Sequence, residues 1–269
     1  MNISMHSRVP HFSYLTVDNR YTYGNSGSVT VLDIIRDYLP LMNAALRQTV
    51  GVEVDLMIAG SCGLRSVLRS NSRYQQGYRE QAITMPVGDM DIFIGIRKIN
   101  VPTAISDSNT IASVVSTDAF NNLLHVVGGG TLRCTYRGGS STITSEGSEG
   151  AAGLHTCYRL TPMSLNPQQT QRRLPNMNII LREDIVGDNL SSNLEGLFNS
   201  FDLDILETAS IITNTNGNLA REMTAWTSDF NEAIKDKTAR AKGEMGTERQ
   251  SKYTWYCNHL GITADWMMS

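Results

Sequence analysis

The sequence predicts an α/β or α+β fold built on a mixed β-sheet. Apolar, β-branched runs that are typical of buried strands occur at VEVDLMIAG and GDMDIFIGIRK. Segments with helical spacing of apolar residues lie between and after them. Some predicted strands follow one another directly and others are separated by helices, which is the pattern of a mixed sheet. The chain has 269 residues, 41% of them hydrophobic, so it is long enough for a sizeable core.

The predicted elements follow from apolar periodicity and from Gly and Pro breaks. The first half contains one or two helices over 29–50 with a break or kink near Pro40, a strand over 52–60, a short helix over 61–70, a polar loop over 70–87 and a strand over 88–98. The second half contains a helix over 110–126, strands over 131–137, 154–160 and 177–183, a helical turn or two over 193–200, a strand over 200–212 and a mostly helical end.

Three parts are predicted from this pattern. Residues 1–27 are rich in Tyr, Asn, Ser and Gly and are expected to be irregular. Residues 28–212 form the predicted core, with insertions at about 70–85 and 101–175. Residues 213–269 form a helical C-terminal subdomain.

Composition excludes several classes of protein. The net charge is −3, so no basic field draws the whole chain to nucleic acid or to an anionic membrane. No window is apolar enough for a membrane span, and the N-terminus lacks a secretory signal. The four cysteines form no CxxC pair, which indicates reduced thiols and a cytoplasmic protein.

Acidic residues at period two inside apolar strands are the most informative feature. In GDMDIFI, Asp89 and Asp91 share one face of the strand, roughly 7 Å apart. Burying two such carboxylates is unfavourable without a counter-charge, which Mg²⁺ or Mn²⁺ supplies. FDLDIL repeats the pattern at Asp202 and Asp204, so the two strands are predicted to converge on one metal cluster. Solvated charges at the ends of strands are the alternative.

The turn between the first strand and the next helix is a second candidate feature. IAGS places Gly60 and Ser61 where a buried strand enters a helix. A Gly-Ser turn lets a phosphate approach the backbone N–H groups at the start of the helix, and the hydroxyl adds a donor.

Taken together, IAGSCGLRSVL, MPVGDMDIFI and SFDLDIL resemble the nucleotidyltransferase superfamily that includes DNA polymerase beta and the tRNA CCA-adding enzymes. The resemblance covers about residues 50–100 and 176–210, and it extends to phage and large-virus members. Gly60 and Ser61 match the family's turn, and the GDMDIFI segment matches its Asp-x-Asp strand. One departure is the 29 positions from Gly60 to Asp89, about twice the usual spacing.

The resemblance implies a site and a reaction. Asp89 and Asp91 would hold two Mg²⁺ or Mn²⁺ ions, and the third carboxylate would be Asp202 or Asp204; Asp202 fits better because it follows an apolar residue at the strand start. Gly60, Ser61, Arg65 and Lys252 would contact the triphosphate, and Tyr253 would stack on the base.

The implied activity is transfer of a nucleoside monophosphate from ATP or another triphosphate to a hydroxyl, with release of pyrophosphate. The acceptor is RNA, a nucleotide, a small molecule or a protein side chain, with a preference for the first two. The alternative is an inactive member of the same fold that serves as a binding or assembly module in a phage or virus, within the host cytoplasm.

Overall fold

The structure is a computed structural model that describes residues 1–7, 31–85, 90–128, 132–138, 154–162, 177–214 and 220–267. Its helices are α1 (Val31–Thr49), α2 (Gly60–Ser70), α3 (Ser72–Thr84), α4 (Asp107–Val115), α5 (Asp118–Gly128), α6 (Leu190–Asn199), α7 (Ser228–Asp236) and α8 (Thr247–Leu260). Its strands are β1 (Ile3–Ser7), β2 (Val52–Ala59), β3 (Met90–Lys98), β4 (Leu132–Gly138), β5 (Leu154–Pro162), β6 (Met177–Arg182), β7 (Val186–Gly187), β8 (Thr208–Thr213), β9 (Arg221–Thr227), β10 (Thr238–Ala239) and β11 (Thr263–Ala264).

One large mixed sheet organises the chain, and it confirms the predicted fold class. Within the described residues the strand order is β1-β9-β8-β2-β3-β6-β5-β4, and the short β7 also pairs with β3. Strands β6 and β7 run parallel to β3, whereas the other neighbours are antiparallel. Strands β10 and β11 form a separate parallel pair.

Strands β2 and β3 form the buried centre of the sheet. Every residue of β2 is buried, including the two carboxylates Glu53 and Asp55 that interrupt its apolar sequence. The two strands pair over eight residues, from Val52 opposite Lys98 to Ala59 opposite Asp91. Alternate residues of β2 therefore pack on opposite faces: Val54 and Leu56 pack with α1 and α5, whereas Met57 packs with α6.

Helix α2 lies closely against the sheet because it carries a glycine at the contact. A Cβ added to Gly63 would be 2.5 Å from the Thr208 carbonyl oxygen and 3.0 Å from the Ile58 carbonyl oxygen. Any larger residue would push the helix away from β8 and β2. The same helix then packs its apolar side against α3, α7 and α8 in a second buried cluster.

The prediction of a loop over 70–87 is wrong for most of that segment, since Ser72–Thr84 forms α3. Tyr74, Tyr78 and Ala82 recur every four residues and are buried. This stripe supplies the apolar face of a helix within a polar sequence. Residues 86–89, with Asp89 among them, lie outside the described part of the chain.

The strand predicted over 200–212 is also wrong in its first half. Asp204–Leu206 forms a 3₁₀ turn, Leu203 makes only an isolated bridge with Ala241, and the strand begins at Thr208. Leu203, Ile205 and Leu206 are all buried, so the side chains do not alternate as a half-buried strand requires.

The ends of the chain contribute strands as well as helices. β9 lies in the region predicted to be helical, 213–269, and it joins the main sheet beside α7 and α8 of the same region. β1 lies in the segment predicted to be irregular, 1–27, and pairs with β9. The predicted domain boundaries stay a prediction.

No helix among the described residues combines the length and apolar character that a membrane crossing needs.

Replacement of Gly63 by Ala tests the close packing of α2. We expect Gly63→Ala to lower the free energy of unfolding by about 2 kcal/mol, because the added methyl overlaps the Thr208 carbonyl. Urea denaturation measures this change. Gly77→Ala is the matched control: Gly77 is an exposed helical glycine with open space around its Cβ position, so the same change should stabilise by up to ~1 kcal/mol. Equal effects of the two substitutions would contradict the packing argument.

Candidate functional site

The candidate site lies at the edge of the sheet where β2 ends and β3 begins. Ala59 pairs with Asp91, and α2 starts at the next residue, Gly60. Gly60 has φ +65°, a left-handed conformation that favours glycine. Its Cβ position lies 3.9 Å from Asp91 Oδ2. The Asp91 carboxylate is thus placed beside the N-terminus of α2.

A side chain from β6 reaches the same carboxylate. β6 runs parallel to β3 with Asn178 opposite Asp91, and Asn178 Nδ2 donates a 2.8 Å hydrogen bond to Asp91 Oδ1. Both residues are half-buried. The pair therefore lies where water still reaches the edge of the sheet.

Helix α8 forms another wall of the site through Tyr256. This residue is buried, and its hydroxyl shares a hydrogen bond with the Ser61 side chain. Burial raises the pKa of Tyr256, and the nearby Asp91 charge raises it further. The C-terminal helix is thereby joined to the Gly60–Ser61 turn and lies near Asp91.

Asp202 is held by a different part of α8. Its carboxylate forms an ion pair with Arg249, and the Tyr253 hydroxyl donates a 3.4 Å hydrogen bond to Asp202 Oδ2. Burial, together with the Asp202 charge, raises the pKa of Tyr253 to about 12. Tyr253 therefore stays protonated and remains a donor to Asp202. This contact places Tyr253 against a carboxylate.

Asp204 is buried among backbone and side-chain partners and has a structural role. The residue is 3% exposed, and its side chain accepts a 3.0 Å hydrogen bond from the Arg240 backbone N–H. The Arg240 guanidinium lies 3.8 Å away, at its nearest nitrogen. Burial raises the pKa of Asp204 to about 6, because these partners only partly replace water around the charge. Asp204 joins the 3₁₀ turn to the segment that precedes α8.

The two basic residues predicted to contact the triphosphate differ in their surroundings. Arg65 lies on the inner side of α2 and is 1% exposed, so its guanidinium is part of the protein interior. Lys252 lies on the exposed side of α8. Arg249, one turn of the helix from Lys252, turns inward to Asp202.

The structure brings the predicted site residues together in two groups. Gly60, Ser61 and Asp91 share the edge of the sheet, and Asp202 contacts Tyr253 of α8. Across the described ranges, no three Asp, Glu, His or Cys side chains form a group that could hold a metal ion. The predicted cluster with Asp89, which lies outside those ranges, stays a prediction.

Two residues of the site were not identified from the sequence. Asn178 is the polar position in the apolar strand MNIILR, where Met177, Ile179 and Leu181 alternate as the buried face. A polar residue between buried apolar residues is the feature of the sequence that could have identified Asn178. Tyr256 lies three residues after Tyr253 on the same helix, but only its packing against Ser61 shows its place.

The donors at the edge of the sheet suit a hard cation. Asp91 and Ser61 offer carboxylate and hydroxyl oxygens, ligand types that Mg²⁺ and Mn²⁺ take from proteins. The adjacent N-terminus of α2 has no acidic residue in its first turn, so it favours an anion such as phosphate.

Comparison with known proteins adds no relative. No protein-family model matches the chain, and no curated protein matches its sequence. The resemblance to nucleotidyltransferases therefore depends on the residues quoted above and on the geometry of this edge.

The raised pKa of Asp204 predicts a pH-dependent effect of its replacement. Between its unfolded pKa of 3.8 and its folded pKa of about 6, the folded protein binds more protons than the unfolded chain, so this residue lowers stability as pH rises. We expect Asp204→Asn to raise the free energy of unfolding by about 2 kcal/mol at pH 8 and to leave it unchanged at pH 3.5.

Urea denaturation across this pH range measures the effect. Asp229→Asn is the control, because Asp229 is exposed in the first turn of α7 and is not part of the Asp204 environment. A stabilisation by Asp204→Asn that is the same at both pH values would contradict the argument.

Proposed function

We propose that this protein is a metal-dependent nucleotidyltransferase that transfers a nucleoside monophosphate from a nucleoside triphosphate to a hydroxyl acceptor, with release of pyrophosphate. The observation that supports it is the placement of Asp91 beside Gly60 and Ser61, at the N-terminus of α2. A carboxylate for a cation and backbone donors for a phosphate then lie at one edge of the sheet.

The turn at Gly60 is suited to bind phosphate. The first N–H groups of α2 have no partner within the helix and are directed out of its N-terminus. Ala59, the residue that caps the helix, makes no side-chain hydrogen bond to them. Because Gly60 lacks a side chain, a phosphate oxygen can approach the backbone closely. The Ser61 hydroxyl, held by Tyr256, adds an oriented polar group.

Asp91, with Asn178 beside it, would hold Mg²⁺ or Mn²⁺, and Asp89 is the second carboxylate that the sequence offers. A bound divalent ion supplies positive charge that neutralises the triphosphate and makes the acceptor hydroxyl more acidic. In the proposed reaction the acceptor oxygen bonds to the α-phosphorus while the bond from that phosphorus to pyrophosphate breaks. The hydroxyl proton passes to a carboxylate or to water.

Helix α8 would complete the nucleotide site. It contacts Ser61 through Tyr256, and its exposed Lys252 can approach a phosphate from the solvent side. Tyr253 and Arg249 hold α8 to Asp202 and so fix the position of the helix. The acceptor is proposed to be RNA or a nucleotide.

A second candidate function is supported by the surroundings of Asp202. Its carboxylate is already neutralised by Arg249, and the side chain beside Asp91 is an amide rather than an acid. Both observations favour an inactive relative of the fold that serves as a binding or assembly module, in a phage or virus. Such a protein would keep the fold without turnover.

Replacement of Asp91 separates the two functions. With labelled triphosphates, Mg²⁺ or Mn²⁺ and a panel of RNA, nucleotide and small-molecule acceptors, the native protein should release pyrophosphate. We expect Asp91→Ala to lower that rate at least about 100-fold, because the carboxylate that positions the cation is lost.

Asp37→Ala is the matched control, since the Asp37 carboxylate is 75% exposed on α1 and should leave the rate unchanged. Absence of turnover by the native protein with every triphosphate and acceptor, together with absence of Mn²⁺ binding in calorimetry, would contradict the enzyme and favour the binding module.

A further inference from the structure

Asn178 contacts Asp91 in a way that leaves the two carboxylate oxygens with different surroundings. Nδ2 of Asn178 donates to Oδ1 at 2.8 Å, whereas Oδ2 faces Gly60, whose Cβ position is 3.9 Å away. A carboxylate accepts hydrogen bonds only, so the amide must present Nδ2 rather than Oδ1 to it. The contact thus directs Oδ2 towards the N-terminus of α2.

The strand pairing makes this contact a fixed property of the fold. β6 runs parallel to β3, and Asn178 is paired with Asp91 in the register of the sheet. On either side of Asn178, Met177 and Ile179 are buried in the core, which prevents β6 from slipping by one residue. Asn178 is therefore the polar side chain that β6 presents at this edge.

We propose that Asn178 is a positioning residue, which orients Asp91 so that Oδ2 binds a divalent cation beside the proposed phosphate site at the N-terminus of α2. The inference rests on the proposed function and extends it to a residue of a third strand. Hydrogen bonds to metal-binding carboxylates hold them in one orientation, and their loss typically weakens metal affinity about 10- to 100-fold. Asp202, which is paired with Arg249, is not needed for this arrangement.

Calorimetric titration with Mn²⁺ alone tests the proposal on the full chain. We expect Asn178→Ala to weaken Mn²⁺ binding about tenfold. Asn178→Asp should bind Mn²⁺ more tightly than the native protein, because a second carboxylate replaces the hydrogen bond with a ligand. Asn100→Asp is the matched control: it makes the same change in charge at an exposed position just beyond the far end of β3 and should leave Mn²⁺ affinity as in the native protein. Native affinity in Asn178→Ala would overturn the proposal.

Thermal unfolding of the Asn178→Asp protein gives a second readout. Without metal, two adjacent carboxylates repel each other and should lower the melting temperature. Mn²⁺ should raise that temperature more than it does for the native protein or for Asn100→Asp. Equal increases in all three proteins would overturn the proposal, since a purely structural Asn178 would not change the response to metal.

A metal-free measurement distinguishes failure of this inference from failure of the proposed function. If the native protein binds no Mn²⁺, the metal-dependent function fails. The contact with Asp91 is then tested by the urea midpoints of Asp91→Ala, Asn178→Ala and the double variant. Positioning through the hydrogen bond predicts a shift in the double variant smaller than the two single shifts combined. Additive shifts would overturn the positioning role.

Discussion

The buried guanidinium of Arg97, held between Glu53 and Asp55, determines how the two central strands pair. Arg97 lies directly opposite Glu53 and bonds to it at 2.7 Å, and it bonds to Asp55 at 2.7 and 3.2 Å. Glu53 and Asp55 are no more than 1% exposed, so a shifted register would leave charges buried without their partners. A one-residue slip would also turn the apolar side chains to the wrong faces.

The candidate site depends on that pairing, although it lies towards the opposite end of the two strands. Because Glu53 faces Arg97, Ala59 must face Asp91, and the turn into α2 then begins beside the carboxylate. Gly63 allows α2 to lie close to the sheet, so the N-terminus of the helix is held at this edge. The Arg97 ion pairs inside the sheet and the absence of a side chain at Gly63 thus help to position the Gly60–Ser61 turn beside Asp91, although neither contacts the site directly.

Local patterns were sufficient for the elements that carry the edge. The apolar runs of β2, β3 and β6 predicted buried strands, and the Gly60–Ser61 turn predicted the start of α2. The sequence patterns did not predict α3, because its buried residues, which are four apart, stand within a mostly polar sequence. The patterns also gave a wrong prediction at FDLDIL. Its alternating acidic residues are typical of a strand, but the apolar residues Leu203, Ile205 and Leu206 are all buried and do not alternate.

The sequence by itself determined the mixed sheet, because that depends on periodicity, and its resemblance to nucleotidyltransferases predicted that Gly60, Ser61 and Asp91 lie in one site. Only the tertiary structure decided which side chain stands beside Asp91. Asn178 is 87 residues away and reaches it through the parallel pairing of β3 with β6, whereas Asp202 is drawn to Arg249 on α8. The polar Asn178 was visible within the apolar sequence of β6, but neither contact was, since both follow from how distant segments pack against the same core.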